Sequence, residues 1–230
     1  QKVMKKYLRL VMLNQDIKFL LKTTYQAKMI KKKIAILISG NGSNMIELLK
    51  DMRNEDHPGI PILVIADNYN ADGIKKAKKF GCIAKVIDFQ SFSSKFNFEN
   101  KLIYLLKKNQ IELICLAGFM KVLSKKFIDV YKNRILNIHP SLLPLYQGLE
   151  THQRVLTQGL PFHGATVHVV TEEIDKGKII AQGITYVSKK DDVTKLSKRV
   201  LKIEHKIYKY ALRHYLEKKD EPILYIDKKI

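Results

Sequence analysis

Residues 135–144 read Ile-Leu-Asn-Ile-His-Pro-Ser-Leu-Leu-Pro, an apolar, β-favouring run that leads directly into polar and proline-rich chain. The run predicts a strand, and the prolines after it predict an irregular loop. Asn137 and His139 are two residues apart, so on a strand both side chains project to the same side. Ligands of open α/β sheets bind beyond the carboxyl ends of the strands. An amide donor beside an imidazole suits a reaction that moves a proton and builds charge on oxygen, although a structural pair supporting a turn has the same pattern.

Outward from this stretch, apolar runs alternate with segments of helical spacing. Continuous apolar runs predict buried strands of a parallel sheet, at 34–38, 60–65, 84–87 and 113–117, with further strands at 162–170 and 178–187. Helical spacing occurs at 74–80, 96–108, 124–131 and 193–216. Thr151 can cap a further helix that reaches Gly159. The alternation predicts an α/β fold, a single doubly wound, mostly parallel sheet with helices on both faces. Right-handed crossovers would let the ends of the first, fourth and fifth strands lie along one edge.

The charge of the chain favours two classes of partner. Lys and Arg number 42 against 22 Asp and Glu, a formal net charge of +20, and such an excess is typical of nucleic-acid-binding proteins. The lysines, however, are spread over almost every predicted helix and loop, and no basic stripe alternates with aromatic residues. We therefore favour a solvated basic surface that attracts small anionic substrates, with no nucleic-acid or membrane partner. A non-catalytic, basic nucleotide- or nucleic-acid-binding module is the alternative.

Length and cysteine content predict one domain in a reducing compartment. A chain of 230 residues can bury the core of a single α/β domain, and no apolar window is long enough to span a membrane. Cys82 and Cys115 lie in apolar surroundings without a Cys-x-x-Cys or a His-rich cluster, so we expect reduced core thiols and no metal site. These features predict a cytoplasmic protein, either a monomer or a homodimer.

The two ends of the chain differ from its middle. Residues 1–30 are basic and poor in acidic residues, and they lack the regular alternation that begins near Lys33. We expect an N-terminal appendage of unknown role at 1–30, a domain at 31–216, and a charged tail at 217–230 with an edge strand at 223–226.

A glycine-containing loop follows the first predicted strand. Residues 39–44 read Ser-Gly-Asn-Gly-Ser-Asn, and a helical pattern begins at Met45. A strand, a glycine loop and a helix in succession present backbone N–H groups to a phosphate, and Ser43 or Asn44 can cap the helix. The loop matches neither the dinucleotide fingerprint nor the P-loop. An ordinary strand-to-helix turn is the alternative.

An acidic loop follows the predicted strand at 162–170. Residues 171–177 read Thr-Glu-Glu-Ile-Asp-Lys-Gly, and Asp175 before a lysine and a glycine is typical of an ordinary turn. A carboxylate that reaches an imidazole, however, keeps that imidazole basic.

Four motifs occur in succession along the chain. They are the glycine loop at 39–44, Ala-Gly-Phe-Met at 117–120, the stretch at 137–144, and His-Gly-Ala-Thr-Val-His at 163–168, with Asp175 and Gly177 beyond. In this order the chain resembles the phosphoribosylglycinamide formyltransferase family, folate-dependent enzymes of purine synthesis. The resemblance covers roughly residues 33–216. The Ser-Leu-Leu-Pro turn and the Gly164…Asp175-x-Gly177 pattern are shared with other formyl-folate enzymes, whereas the glycine loop combined with the 137–144 motif is more particular to this family.

The resemblance implies roles for specific residues. The catalytic trio would be Asn137, His139 and Asp175. Contacts to glycinamide ribonucleotide would come from Gly42, Ser43, Asn44 and Glu204. The co-substrate 10-formyltetrahydrofolate would be held by Lys95, Met120, Lys121, Val122, Leu123 and Asn137, and by the loop residues Thr171, Glu172, Glu173 and Ile174.

The implied reaction is direct formyl transfer without a metal or a covalent enzyme intermediate. The glycinamide amine would attack the formyl carbon, and Asn137 together with a protonated His139 would stabilise the tetrahedral oxyanion. Asp175 would raise the pKa of His139 and help relay the proton.

Two other formyl-folate enzymes share this catalytic core. Methionyl-tRNA formyltransferase would need a further C-terminal RNA-binding domain, and formyltetrahydrofolate hydrolase would need an N-terminal regulatory domain. We expect the ends of this chain to be too short for either.

Overall fold

The computed structural model describes residues 31–227, and within that range eight strands form one sheet. The strands are β1 Lys32–Ile38, β2 Gly59–Ala66, β3 Ile83–Val86, β4 Leu113–Leu116, β5 Ile135–His139, β6 Phe162–Val169, β7 Ile179–Tyr186 and β8 Ile223–Ile226. Their order across the sheet is β3-β2-β1-β4-β5-β6-β7-β8. Only β5–β6 and β6–β7 are antiparallel among these neighbours. The predicted α/β fold with one mostly parallel sheet is confirmed, including the edge strand at 223–226. The predicted appendage at 1–30 lies outside the described residues.

Six α-helices connect the strands of the described chain. They are α1 Ser43–Asp51, α2 Gly73–Lys79, α3 Lys95–Lys108, α4 Lys125–Val130, α5 Thr151–Gln158 and α6 Val193–Leu216, with a 3₁₀ turn at Phe89–Ser91. Within residues 31–227, no helix combines the length and the apolarity needed to cross a membrane.

Both faces of the sheet are covered, which explains the continuous apolar runs in the sequence. Ile34, Ile36 and Ile38 of β1 belong to one buried cluster, which includes residues of α1 and α6. Ala35 and Leu37 belong to a second cluster, which includes residues of α3 and α4. All five are fully buried, so a strand in this position has no polar face.

The sheet places β1, β4 and β5 side by side in parallel, with their carboxyl ends on the same edge. Neighbouring strands are about 4.8 Å apart, so the ends of β1 and β5 are separated by roughly 10 Å. The Ser39 N–H after β1 donates to the Gly118 carbonyl after β4 at 3.0 Å. The expected shared edge of the first, fourth and fifth strands is therefore confirmed.

Two predicted helix caps are wrong. The residue before α1 is Gly42, with φ 66°, and no side chain caps the helix. A Cβ at Gly42 would lie 2.9 Å from the Met45 Cε, so the left-handed turn and the close packing both require glycine. Thr151 likewise does not cap α5, because Glu150 occupies that position with φ 58°. The Thr151 hydroxyl instead donates to the Pro140 carbonyl at 2.7 Å.

Candidate active site

Asp175 and His139 meet at the end of β5. The His139 Nδ1 lies 3.3 Å from the Asp175 Oδ2, and the two side chains are 7% and 10% exposed. On the other side of the ring, Nε2 lies 2.9 Å from the Tyr146 carbonyl oxygen. Because a carbonyl only accepts, Nε2 carries a proton and Nδ1 faces the carboxylate. Two side chains that are 36 positions apart in the sequence are thus brought into contact.

The loop between β6 and β7 presents Asp175 through an unusual backbone conformation. Asp175 has φ 56°, a left-handed value that Asp adopts more readily than most side chains. The Gly148 N–H donates to its Oδ2 at 3.0 Å. Asp175 is therefore both the turn residue that its sequence context indicates and a carboxylate directed at a histidine.

His168 is a member of the site that sequence analysis missed. Its Nε2 lies 3.5 Å from the Asp175 Oδ1 and 3.2 Å from the Asn137 Nδ2, and its Nδ1 lies 3.0 Å from the Val169 carbonyl oxygen. Asn137 and His168 are register partners on β5 and β6, so their side chains share a face. Asn137, His168, Asp175 and His139 form one continuous series of contacts, which we call the relay network. The period-two alternation of residues 162–169 could have predicted which face of β6 carries His168. It could not have predicted that this face lies beside Asn137.

The electrostatics of the network differ from expectation in one respect. Burial lowers the pKa of His139 and outweighs the Tyr146 carbonyl and the Asp175 carboxylate, which both raise it. Asp175 thus raises the pKa of His139 as predicted, but loss of hydration has the larger and opposite effect, which the sequence did not indicate. A neutral imidazole at physiological pH is suited to accept a proton.

Asp175 stays ionised despite its partial burial. Burial raises its pKa, but hydrogen bonding to His168 and to the Gly148 N–H, with the nearby His139, outweighs that effect and leaves the pKa below its ordinary value. The network therefore holds one fixed negative charge between two imidazoles.

The predicted contacts to the ribonucleotide meet between α1 and α6. The Asn44 Nδ2 donates to the Glu204 Oε2 at 2.6 Å across 160 residues of sequence. Burial raises the pKa of Glu204, against the opposing hydrogen bond from Asn44. The Asn44 Oδ1 is buried and has no hydrogen-bond partner within residues 31–227. Ser43 and Asn44 start α1, so their backbone N–H groups have no intrahelical acceptor and are free to bind an anion.

A separate cavity of about 210 Å³ brings together five of the ten predicted folate contacts. It is lined by Phe89, Lys95, Phe98, Glu99, Met120, Lys121, Val122 and Leu123. The Lys121 Nζ lies 4.5 Å from the centre of the Phe89 ring, and the Met120 N–H donates to the Ser39 hydroxyl at 2.9 Å. Aromatic walls with two lysines suit a flat ring system that carries an anionic group.

The four loop residues of the predicted folate contacts do not line this cavity. Glu172 instead pairs with Lys125 at 3.1 Å, and Glu173 pairs with Lys176 at 2.6 Å. The Thr171 hydroxyl donates to the Glu173 carbonyl at 3.1 Å, and Ile174 is 53% exposed. The structure therefore brings the catalytic trio together, and it separately gathers five of the predicted folate residues around this cavity. Folate binding by those five residues, by Asn137 and by Thr171–Ile174 stays a prediction.

Comparison with known proteins places this geometry in a family context. The model of the formyl transferase family matches residues 32–212. The trifunctional purine biosynthetic protein adenosine-3 of Gallus gallus is 39% identical over 183 residues, which is 80% of this chain but only 18% of that protein. The phosphoribosylglycinamide formyltransferase of Haemophilus influenzae is 36% identical over 186 residues, covering 81% of this chain and 88% of that enzyme.

A solved structure agrees with the sequence matches. The crystal structure of phosphoribosylglycinamide formyltransferase from Brucella melitensis superposes with a TM-score of 0.78 at 42% identity, covering 81% of this chain and 96% of that one.

Proposed function

This chain belongs to the formyl transferase family, and we propose on that basis that it transfers the formyl group of 10-formyltetrahydrofolate to the amine of 5′-phosphoribosylglycinamide in purine biosynthesis. The observation that carries the proposal is the contact of 3.3 Å between His139 and Asp175 beside Asn137, at the carboxyl end of β5. The family match indicates formyl transfer, and the glycine turn before α1, on the same sheet edge, supports a phosphorylated acceptor.

The relay network accounts for the proton movements. The attacking amine must lose a proton, and neutral His139 can accept it at Nδ1, the ring nitrogen that faces Asp175 and carries no proton. The resulting imidazolium would lie beside the ionised Asp175, which His168 and Gly148 hold in position. The same imidazolium can then return the proton to the departing nitrogen.

Asn137 is suited to stabilise charge on the reacting oxygen. The Asn137 Nδ2 carries two N–H groups, and only one of them can face the His168 Nε2 at 3.2 Å, which leaves the other for a substrate oxygen. One well-placed donor of this kind contributes about 3 kcal/mol to transition-state stabilisation.

The two substrates have distinct binding regions in the proposal. The folate, which supplies the formyl group, would be held by Lys95 and by the wall Met120–Leu123, with Thr171–Ile174 closing over it. The ribonucleotide phosphate would bind the N–H groups of Gly42, Ser43 and Asn44, and Glu204 would contact its ribose or amine end.

We further propose a cytoplasmic enzyme, monomeric or homodimeric, with small molecules as its only partners. Cys82 and Cys115 are buried and unpaired, and burial raises the pKa of both thiols, that of Cys115 to about 12. Unpaired thiols with raised pKa values suit a reducing compartment.

The test is a spectrophotometric assay of folate product, with each substrate omitted in turn. The proposal requires product formation only when glycinamide ribonucleotide and formyl-folate are both present. Formate release without the ribonucleotide would instead indicate a hydrolase, and transfer to methionyl-tRNA alone would indicate the tRNA enzyme. Absence of turnover with retained ligand binding would favour the non-catalytic module.

A further inference from the structure

A basic groove lies between α6 and the segment formed by β8 and Asp227. It has a volume of about 440 Å³ and is lined by Lys195, Lys198, Arg199, Lys202, Ile203, Lys206, Tyr225 and Asp227. Five of these eight residues are cations on one helix, and Asp227 is the only acid among them. Spacing by three or four residues puts the cations on one face of α6, over about 16 Å of its length. Lysines distributed evenly over the surface would not concentrate positive charge on one helix face in this way.

Part of this charge is not compensated by neighbouring acids. Lys195 pairs with Asp192 at 3.4 Å, and Arg199 pairs with Asp191. Lys198 and Lys202, by contrast, make neither an ion pair nor a side-chain hydrogen bond among residues 31–227. The groove therefore contains two exposed cations that are available to a ligand, between cations that are already held in place.

The remaining walls of the groove are ordered by specific contacts. The Lys206 Nζ donates to the Tyr225 hydroxyl at 2.7 Å, and the Arg199 guanidinium lies 4.6 Å from the centre of the Tyr186 ring. Ile203, 2% exposed, forms an apolar floor. Cations that are already positioned lose less conformational entropy when a ligand binds.

The groove is distinct from the candidate active site. None of its lining residues belongs to the relay network, to the glycine turn or to the folate cavity. Glu204, two residues after Lys202, points away from the groove face because it contacts Asn44 of α1.

We propose that this groove binds a small polyphosphate anion, of the nucleoside triphosphate class, at a site separate from catalysis. Lys198, Lys202 and Lys206 follow one another at steps of about 6 Å along α6. From these positions their long, flexible side chains can converge on an extended anion such as a chain of phosphates. The volume lies in the range of small-molecule sites, and the groove spans about three helical turns, which is short for a nucleic-acid track.

The experiment measures binding to the full chain by isothermal titration calorimetry at fixed salt, with three probes: ATP, inorganic tripolyphosphate and AMP. ATP and tripolyphosphate should bind, and AMP should bind at least tenfold more weakly. Equal affinities for ATP and tripolyphosphate would show that the phosphate chain alone is recognised, and a tighter ATP complex would show that the nucleoside adds contacts.

Matched double variants locate the site. Lys198→Ala/Lys202→Ala should weaken ATP binding about five- to thirtyfold, the effect of losing two ionic contacts. Lys107→Ala/Lys108→Ala removes the same charge from exposed positions on α3 and should leave binding unchanged. Hydrogen exchange should show ATP-dependent protection at residues 195–206 and 223–226, and saturating glycinamide ribonucleotide should not displace ATP.

Several results would overturn the proposal. They are equal weakening in both double variants, displacement of ATP by glycinamide ribonucleotide, and AMP binding as tightly as ATP. A single-stranded RNA 12-mer that binds the groove more tightly than ATP, with a steep salt dependence, would assign the groove to nucleic acid instead. None of these measurements depends on formyl transfer, so the site and the proposed activity can fail independently.

Discussion

Within residues 31–227 two pairs of histidines are in close contact, and only one of these pairs has a carboxylate beside it. His139 and His168 flank Asp175, at 3.3 and 3.5 Å. His152 and His163 contact each other instead, with 2.9 Å between the His152 Nδ1 and the His163 Nε2. Burial lowers the pKa of both His152 and His163, that of His163 to about 3. Burial also lowers the pKa of His139, but there Asp175 opposes it.

The difference between the two pairs shows what a histidine shielded from water needs in order to transfer a proton. Loss of hydration disfavours the charged ring in both pairs. A proton arriving on His139 gains a fixed counter-charge, whereas a proton on His163 would face only a second imidazole. Catalytic capacity therefore follows the position of Asp175 and not the density of histidines.

The largest effect is expected from His139→Asn, which removes the proton acceptor. Turnover should fall by about 10²- to 10⁴-fold, while the thermal melting temperature stays close to that of the wild type. Steady-state kinetics with both substrates at saturation measure the change. Near-normal turnover in this variant would eliminate His139 as the base.

Asp175→Asn should have the next largest effect. The substitution keeps the shape of the side chain and removes its charge, so a protonated His139 loses its counter-charge and turnover should fall by roughly 10²-fold. Because Asp175 raises the pKa of His139, the acidic limb of the kcat profile should also move to lower pH. An unchanged pH profile would show that Asp175 only shapes the loop.

His168→Gln should produce a smaller loss, of about tenfold in kcat, because one hydrogen bond to a charged group contributes about 1.5 kcal/mol or more. His168 is a positioning residue in this account, so the KM values should change little. A change in the KM values without a fall in kcat would contradict the assignment of His168 as the residue that positions Asp175 and Asn137.

His163→Asn should affect pH-dependent stability more than turnover. Below pH 6.5 the unfolded chain protonates this histidine, whereas the folded protein, with a pKa of about 3, does not. The unfolded state then binds more protons, so stability falls as the pH drops from about 6.5 towards 3, by up to about 1.4 kcal/mol per pH unit for one proton.

Urea unfolding of the wild type and of His163→Asn between pH 5 and pH 7 measures this slope. The variant should show a shallower loss of stability on acidification. Identical slopes in the two proteins would mean that His163 gains its proton in the folded state as readily as in the unfolded one.

Much of the fold could be predicted because the period and the length of an apolar pattern are local properties of the sequence. Residues 193–216 carry an amphipathic repeat that predicts α6 at the observed bounds. The apolar run of β1 predicts burial on both faces, which the two core clusters confirm. Caps were harder, because Gly42 and Glu150 take left-handed backbone where a capping side chain was expected.

The candidate site was predictable in part, through motif order. Asn137, His139 and Asp175 could be named from the sequence and the family resemblance, and the structure brings them together. His168 could not be assigned a role, because strand register between β5 and β6 is a long-range property.

The α/β architecture and the residue types at the end of β5 follow from the sequence alone, because periodicity and side-chain chemistry are local properties. The tertiary structure, in turn, brings Asp175 to His139, adds His168 to the network, and buries His139 so that its pKa is lowered despite the nearby carboxylate. It also decided that the lysines of α6 line a groove with Tyr225. Contacts and loss of hydration depend on which distant segments pack together, and no local pattern encodes that.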